Sequence, residues 1–253
     1  MSTAPTGFSE DKFLGGKLVL TQPVNGYRAG VDPVFLAASV QAHPGECVLD
    51  MGCGAGAAAL CLGTRVTGVR LVGIERQAAY AELARHNGAQ NHIPFEVHEA
   101  DIATPPAALK EESFDHVIMN PPYYLRERGT PSPDTLREGA LGEDLPLSVW
   151  IDQATRRLKP RGYLTMIQKA ERLPEIMAAL DDRLGSIMVK PLSPRIGRVT
   201  SLVIVQARKG GRGAFRLAAP LVLHEGPQHV GDAEHYTPEV SSILRDGHAF
   251  PLW

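Results

Sequence analysis

The chain has 253 residues, 43% hydrophobic and 21% charged, with 26 basic side chains against 28 acidic ones and a formal charge of −2. Such a chain is long enough to bury a large core, and its composition excludes a disordered protein. No apolar run approaches the roughly 18 to 20 residues of a membrane helix, and the start lacks the basic-then-apolar order of a signal peptide, so a cytoplasmic location is expected.

After a polar start, Val31–Gln41 carries apolar residues at helical spacing. Asp32 and Pro33 stand at its beginning, where a carboxylate and a proline suit the free N–H groups of a helix. His43-Pro44-Gly45 breaks the pattern. Glu46–Met51 then reads as a short buried strand that runs into Gly52-Cys53-Gly54-Ala55-Gly56, with an alanine-rich helix after it. Val69–Glu75 predicts a second strand, Gln77–Ala89 a helix, Pro94–His98 a third strand and Phe114–Met119 a fourth. Ser148–Leu158 predicts a helix stopped by Lys159-Pro160-Arg161-Gly162, followed by a strand over Tyr163–Gln168 and a helix over Leu173–Leu184. Ile187–Val189 and Ser201–Gln206 supply two last strands, compatible with an antiparallel edge hairpin. The expected fold is α/β: a doubly wound, seven-stranded, mostly parallel sheet with helices on both faces. Residues 1–209 form the expected main domain, and 210–253 a less regular extension hinged at Gly210-Gly211-Arg212-Gly213.

The first strand ends in Asp50, and Gly52, Gly54 and Gly56 follow at the turn into a helix, where a ligand can touch bare backbone. Gly52, Gly54 and Ala57 also fit the G-x-G-x-x-G/A pattern, so these residues alone leave a nicotinamide cofactor open beside a tight structural turn. Glu75 ends the next strand about 20 residues later, the place of an acid that accepts from ribose hydroxyls. Asp101, after the third strand, can accept from an adenine amino group or cap a helix over Ile102–Ala108. Cys47, Cys53 and Cys61 fit no zinc or redox spacing and read as reduced core thiols.

Asn120-Pro121-Pro122-Tyr123, after the fourth strand, is the sharpest signal. Two prolines lock φ and remove two N–H donors, leaving a stiff segment rich in acceptors. At the carboxyl end of a strand, the Asn120 side-chain oxygen and the Pro121 carbonyl suit both hydrogens of an NH₂ group. Holding them favours a pyramidal nitrogen and stabilises the positive charge that develops as it attacks a methyl sulfonium carbon. Tyr123, and after it Tyr124, can stack on a planar amine. No strong base is needed if the proton leaves after attack.

Together with the Asp50–Gly56 loop, these residues resemble the class I S-adenosylmethionine-dependent methyltransferases that modify planar amines, over residues 20–207. Asn25-Gly26-Tyr27-Arg28-Ala29-Gly30-Val31-Asp32-Pro33-Val34-Phe35-Leu36-Ala37 is similar to the segment before the cofactor loop in the bacterial tRNA (adenine-N6)-methyltransferases that act beside the anticodon. Pro220–Glu225 and Tyr236–Val240 are similar to the C-terminal signature of a branch of that family, while Pro33 departs from its pattern.

The resemblance implies a Rossmann-like fold, S-adenosylmethionine as the cofactor without a metal, and a tRNA or other structured RNA as the partner. The expected cofactor residues are Asp32, Asp50, Gly52, Cys53, Gly54, Gly56, Glu75, Asp101, Ile102 and Asn120. Arg28, Tyr124, Arg195 and Arg198 are assigned to RNA, with a surface arginine as the alternative for Arg28. Seven basic residues and no acid lie between Lys190 and Arg216, a run that can grip phosphates or form a solvated face. His224, His229, His235 and His248 match no compact metal pattern. Guanine N2 and protein glutamine remain alternative acceptors, and an oxidoreductase or a non-catalytic RNA-binding module are the rivals outside the class.

Overall fold

The structure is a computed structural model and describes residues 7–125, 142–143, 145–226 and 235–252. Its first element is a hairpin that the sequence reading did not resolve. Strand β1 (Phe8–Phe13) pairs antiparallel with β2 (Leu18–Pro23) through a tight turn in which Gly15 and Gly16 have positive φ. The outer edge of β2 is met by side chains instead of a strand. Asn87 accepts from the Thr21 N–H at 2.8 Å and donates to its carbonyl at 3.0 Å. Asn91 does the same for Val19 at 2.9 and 2.7 Å. Two amides one helical turn apart thus stand in for a neighbouring strand, which satisfies backbone groups that burial would otherwise orphan.

The alternation that follows matches the expected order. Helix α1 (Asp32–Ser39) precedes β3 (Cys47–Met51), α2 (Ala57–Arg65), β4 (Arg70–Glu75), α3 (Ala78–Gln90) and β5 (Phe95–Glu99). A short α4 (Ala107–Glu111) leads to β6 (Phe114–Met119). The helix considered over Ile102–Ala108 does not form. Pro105 and Pro106 delay it, and Asp101 Oδ1 accepts from the Ala103 N–H at 2.7 Å to close a local turn. Two-residue strands β7 (Tyr124–Leu125) and β8 (Gly142–Glu143) pair in parallel.

Helix α5 (Leu147–Arg157) runs into β9 (Leu158–Lys169), where pairing with β6 jumps from Phe114–Leu158 to His116–Tyr163. The proline and glycine stop is therefore a bulge within an extended segment, with Arg161 at φ 69°. Helix α6 (Leu173–Ala179) is shorter than the expected Leu173–Leu184, because Asp181 captures the Arg183 N–H at 2.9 Å and turns the chain into β10 (Leu184–Ser193). Strand β11 (Leu202–Lys209) returns between β10 and β9, antiparallel to both.

The long strands run β10-β11-β9-β6-β3-β4-β5, the seven expected. The extension adds two more to the sheet, β12 (Arg216–Leu217) and β13 (Leu221–Val222), each parallel to β10. Apolar side chains fill both faces of the sheet. The C-terminal residues join one of these layers: Phe250 and Leu252 are buried, and the Phe250 ring meets Phe35 edge-on at 6.4 Å. Among the described residues, no helix is long and apolar enough to cross a membrane.

Candidate active site

Strands β3, β4, β6 and β9 are parallel, so their carboxyl ends share one edge of the sheet. The chain leaves β3 towards β4 on one side and returns through β6 on the other. Doubly wound sheets open their ligand crevice at such a reversal.

Beneath the crevice, Asp50 is 3% exposed and its Oδ2 accepts from the Ala59 N–H at 3.2 Å. Burial pushes its carboxyl up to about 7, against the Ala59 hydrogen bond and with the help of the Glu75 charge. Gly52, Gly54 and Gly56 all have positive φ. Spatial demand separates them: an added Cβ would meet the Trp150 ring at 2.7 Å from Gly52 and the Phe95 ring at 2.9 Å from Gly56, whereas around Gly54 there is nothing within 4 Å. Gly52 and Gly56 shape the loop, and Gly54 presents open backbone.

Glu75 closes the far side of the loop. Its two oxygens accept from the Gly54 N–H at 3.0 Å and the Gln77 N–H at 2.8 Å, while burial, opposed by these bonds, raises its carboxyl above the ordinary range. Cys53 is buried, and burial together with the Asp50 and Glu75 charges raises its thiol well above its ordinary value, so it is no thiolate nucleophile. Ile102 is also buried and packs in the cluster that holds Trp150.

Across the crevice, Asn120 Oδ1 is buried without a hydrogen-bond partner. Its side chain lies beside the Tyr27 phenol, and its oxygen faces an unfilled demand. Tyr27 is fixed in turn by the Tyr80 hydroxyl, which accepts from the Tyr27 N–H at 2.8 Å and donates to its carbonyl at 3.1 Å. Burial and the nearby Asp32 charge push the Tyr27 phenol up to about 12. Sequence reasoning gave Tyr27 no role, since nothing in its neighbours points to Asn120.

The two prolines are held from behind. Gln168, fully buried on β9, donates to the carbonyls of Pro121 at 3.2 Å and Pro122 at 3.3 Å. A carbonyl accepts twice, which leaves Pro121 one free lone pair. Tyr123 donates its hydroxyl to Asp32 Oδ2 at 2.5 Å, and the Lys169 ammonium lies 5.2 Å from its ring centre. Asp32 thus meets Tyr123 directly.

Arg28 and Arg195, assigned to RNA, and Arg172 behind the prolines each have partners within the fold. Arg28 pairs with Asp11 at 2.5 Å and donates to Ser9 and to the Pro23 carbonyl, fastening the hairpin. Arg195 is 8% exposed and donates to the carbonyls of Glu225 and Gly226. Arg172 is 7% exposed, pairs with Glu175 and donates to the Pro122 carbonyl at 3.2 Å. Each satisfies carbonyls or carboxylates of the fold, an ordinary use of a five-donor fork. Of the three assigned arginines, Arg28 and Arg198 are exposed and Arg195 is buried. Because β11 is antiparallel, Arg208 and Lys209 sit at the edge of the sheet opposite the crevice. Lys209 donates there to the carbonyls of Thr155 and Leu158 at 2.7 Å.

The Tyr124 side chain, His229 and Trp253 lie outside the described residues. Among the described residues, no cluster of three metal-ligating side chains occurs.

S-adenosylmethionine fits these residues: two buried carboxyls suit a cationic nucleoside, and Gly54 offers bare backbone beside them. Fold and site together define a class I methyltransferase, with S-adenosylmethionine as its methyl donor.

The relatives narrow the class. Residues 29–190 match the Methyltransferase small domain family. A tRNA1(Val) (adenine(37)-N6)-methyltransferase of Porphyromonas gingivalis is 31% identical over 186 residues, 69% of each chain. One from Shewanella baltica is 29% identical over 160 residues, 60% of this chain and 66% of its own. Among solved structures, a predicted O-methyltransferase of Agrobacterium tumefaciens superposes with a TM-score of 0.70 at 29% identity, covering 87% of this chain and 98% of its own. The Thermus thermophilus 16S rRNA N2 G1207 methyltransferase shares the fold, with a TM-score of 0.57 at 18% identity over 80% of this chain and 50% of its own. The chain belongs to the methyltransferase small domain family, in the group that holds the tRNA1(Val) (adenine(37)-N6)-methyltransferases.

Proposed function

We propose that the protein methylates N6 of an adenosine in tRNA, beside the anticodon, and acts in the cytoplasm. The observation that carries this reading is Asn120 Oδ1, a buried acceptor without a donor at the end of a proline-locked turn. An exocyclic amine supplies what is missing there. The names of the curated relatives support adenine in tRNA as the acceptor.

When bound, S-adenosylmethionine supplies an electrophilic methyl group on a sulfonium centre. Asp50, Glu75 and the Gly52–Gly56 loop would hold it, with Asp101 and Ile102 bordering the site on the β5 side. The buried, unpartnered Asn120 oxygen accepts one amine hydrogen, and the spare lone pair of the Pro121 carbonyl accepts the other. Both acceptors stabilise the charge that grows on nitrogen, and positioning supplies most of the remaining acceleration. Tyr123, pinned through Asp32, gives the planar base a stacking surface. The nitrogen sheds a proton after transfer, so no strong base is required. A hydroxyl acceptor would need one before attack, and two acceptors suit it less well than an amine.

We assign the extension, 210–253, to the same catalytic unit, since its strands lengthen the sheet. The test is transfer of labelled methyl to tRNA, ribosomal RNA and protein fractions from a strain lacking the gene. Label is expected in tRNA; label confined to either other fraction would move the acceptor to guanine N2 or glutamine.

A further inference from the structure

The turn between β10 and β11, Arg195–Thr200, is firmly fastened. Ser193 and Thr200 join their hydroxyls across its neck at 2.7 Å, and the Arg198 N–H donates to the Arg195 carbonyl at 3.1 Å. Gly197 takes φ 73°, in the left-handed region. The buried Arg195 guanidinium ties the turn to the extension, and the Leu223 and His224 N–H groups donate to the Ser193 and Pro194 carbonyls at 2.8 and 3.0 Å.

Yet this turn holds Ile196 84% exposed and Val199 90% exposed, more than any other large apolar side chain among the described residues. Both are β-branched and stiff. Exposed Arg198 lies between them, in a stretch without an acid from Lys190 to Arg216.

Its position gives these side chains a use. The Ser201 carbonyl accepts from the Ala170 N–H at 2.9 Å, next to Lys169, whose ammonium covers the Tyr123 ring. The turn thus rises from the edge that carries Asn120–Tyr123, and β11 lies two strand spacings, about 10 Å, from β6. Recognition of a base within an RNA loop leaves its neighbours unstacked, with apolar faces and phosphates exposed together.

We propose that the Arg195–Thr200 turn is the lip that holds the nucleotides flanking the target base, with Ile196 and Val199 against base faces and Arg198 at a phosphate. This rests on the reading of the substrate as RNA. Aliphatic contact beside a cation and continuous with the crevice favours a single-stranded loop over a folded protein surface.

The experiment measures kcat and KM for tRNA, the salt dependence of KM, the Kd for S-adenosylmethionine and the thermal melt. It compares the wild type, Ile196→Ser/Val199→Ser and Arg198→Ala. We expect the double variant to raise KM for tRNA roughly tenfold, with kcat and cofactor Kd unchanged. Arg198→Ala should raise KM and lower the slope of log KM against log salt by about one. Wild-type KM and slope in both variants would overturn the lip while leaving the assigned reaction intact. Wild-type transfer to protein instead of RNA would overturn both. Equal loss of cofactor affinity and thermal stability would mark the side chains as structural and overturn the lip as well.

Discussion

Asn120 leaves its buried oxygen to the substrate, so its removal should affect transfer alone. Asn120→Ala is expected to lower kcat by about 10²- to 10³-fold. Cofactor Kd, read by calorimetry, should stay within about twofold, and an equal loss of both would contradict the role. Asp50 carries a second prediction. Its folded-state value of about 7 lies above the ordinary 3.8, so the folded apoprotein binds the proton more tightly than the unfolded chain. Stability from this group is complete below pH 3.8 and falls as pH rises towards 7. A cationic cofactor favours the ionised carboxyl, so cofactor affinity should rise from pH 6 to 8 and the rise should flatten in Asp50→Asn. Affinity independent of pH in the wild type would contradict this. At this scale the sequence shows Asp50, Glu75 and Asn120, because strand ends and prolines mark them. It hides Tyr27, which lies beside an amide distant in the chain, and it does not show that Arg28 and Arg195 also bind within the fold, because charge says nothing about which partners a side chain finds.

Element by element, the parallel half of the sheet was legible because its buried strands alternate with apolar helices. The hairpin was not: Phe8–Phe13 sets four polar residues in a row between two phenylalanines, and the edge of β2 is closed by side chains of α3, which no strand pattern reveals. Helix α6 was overextended because Leu180 and Leu184 keep helical spacing, while the Asp181 turn that ends the helix is a local hydrogen bond without periodicity. Asn87 joins two of these elements, since it also donates to the Ala55 carbonyl in the glycine loop at 2.9 Å. Asn87→Ala would leave the buried Thr21 N–H and two carbonyls without partners. It should destabilise the protein by about 2 to 4 kcal/mol, or roughly 5 to 15 °C in Tm. A thermal melt unchanged by this substitution would show that β2 needs no such partner.

On the scale of the whole molecule, the chain's near-neutral charge conceals two separated basic regions. The run from Lys190 to Arg216 is continuous in sequence, but an antiparallel strand carries its two parts to opposite edges of the sheet. Only the part near Arg198 flanks the crevice. Arg212, beyond the far edge, is exposed and should be dispensable: Arg212→Ala is expected to leave KM for tRNA within about twofold at physiological salt. A tenfold rise would mean that the substrate wraps the far edge. The split could not be read from composition, because it depends on which way β11 runs.

The proposed activity is tested most directly by nucleoside analysis of tRNA taken from a strain lacking the gene and incubated with the protein and S-adenosylmethionine. N6-methyladenosine is expected in an anticodon-loop fragment, and none with Asn120→Ala. A different methylated nucleoside, or unmodified tRNA beside a methylated protein, would contradict it.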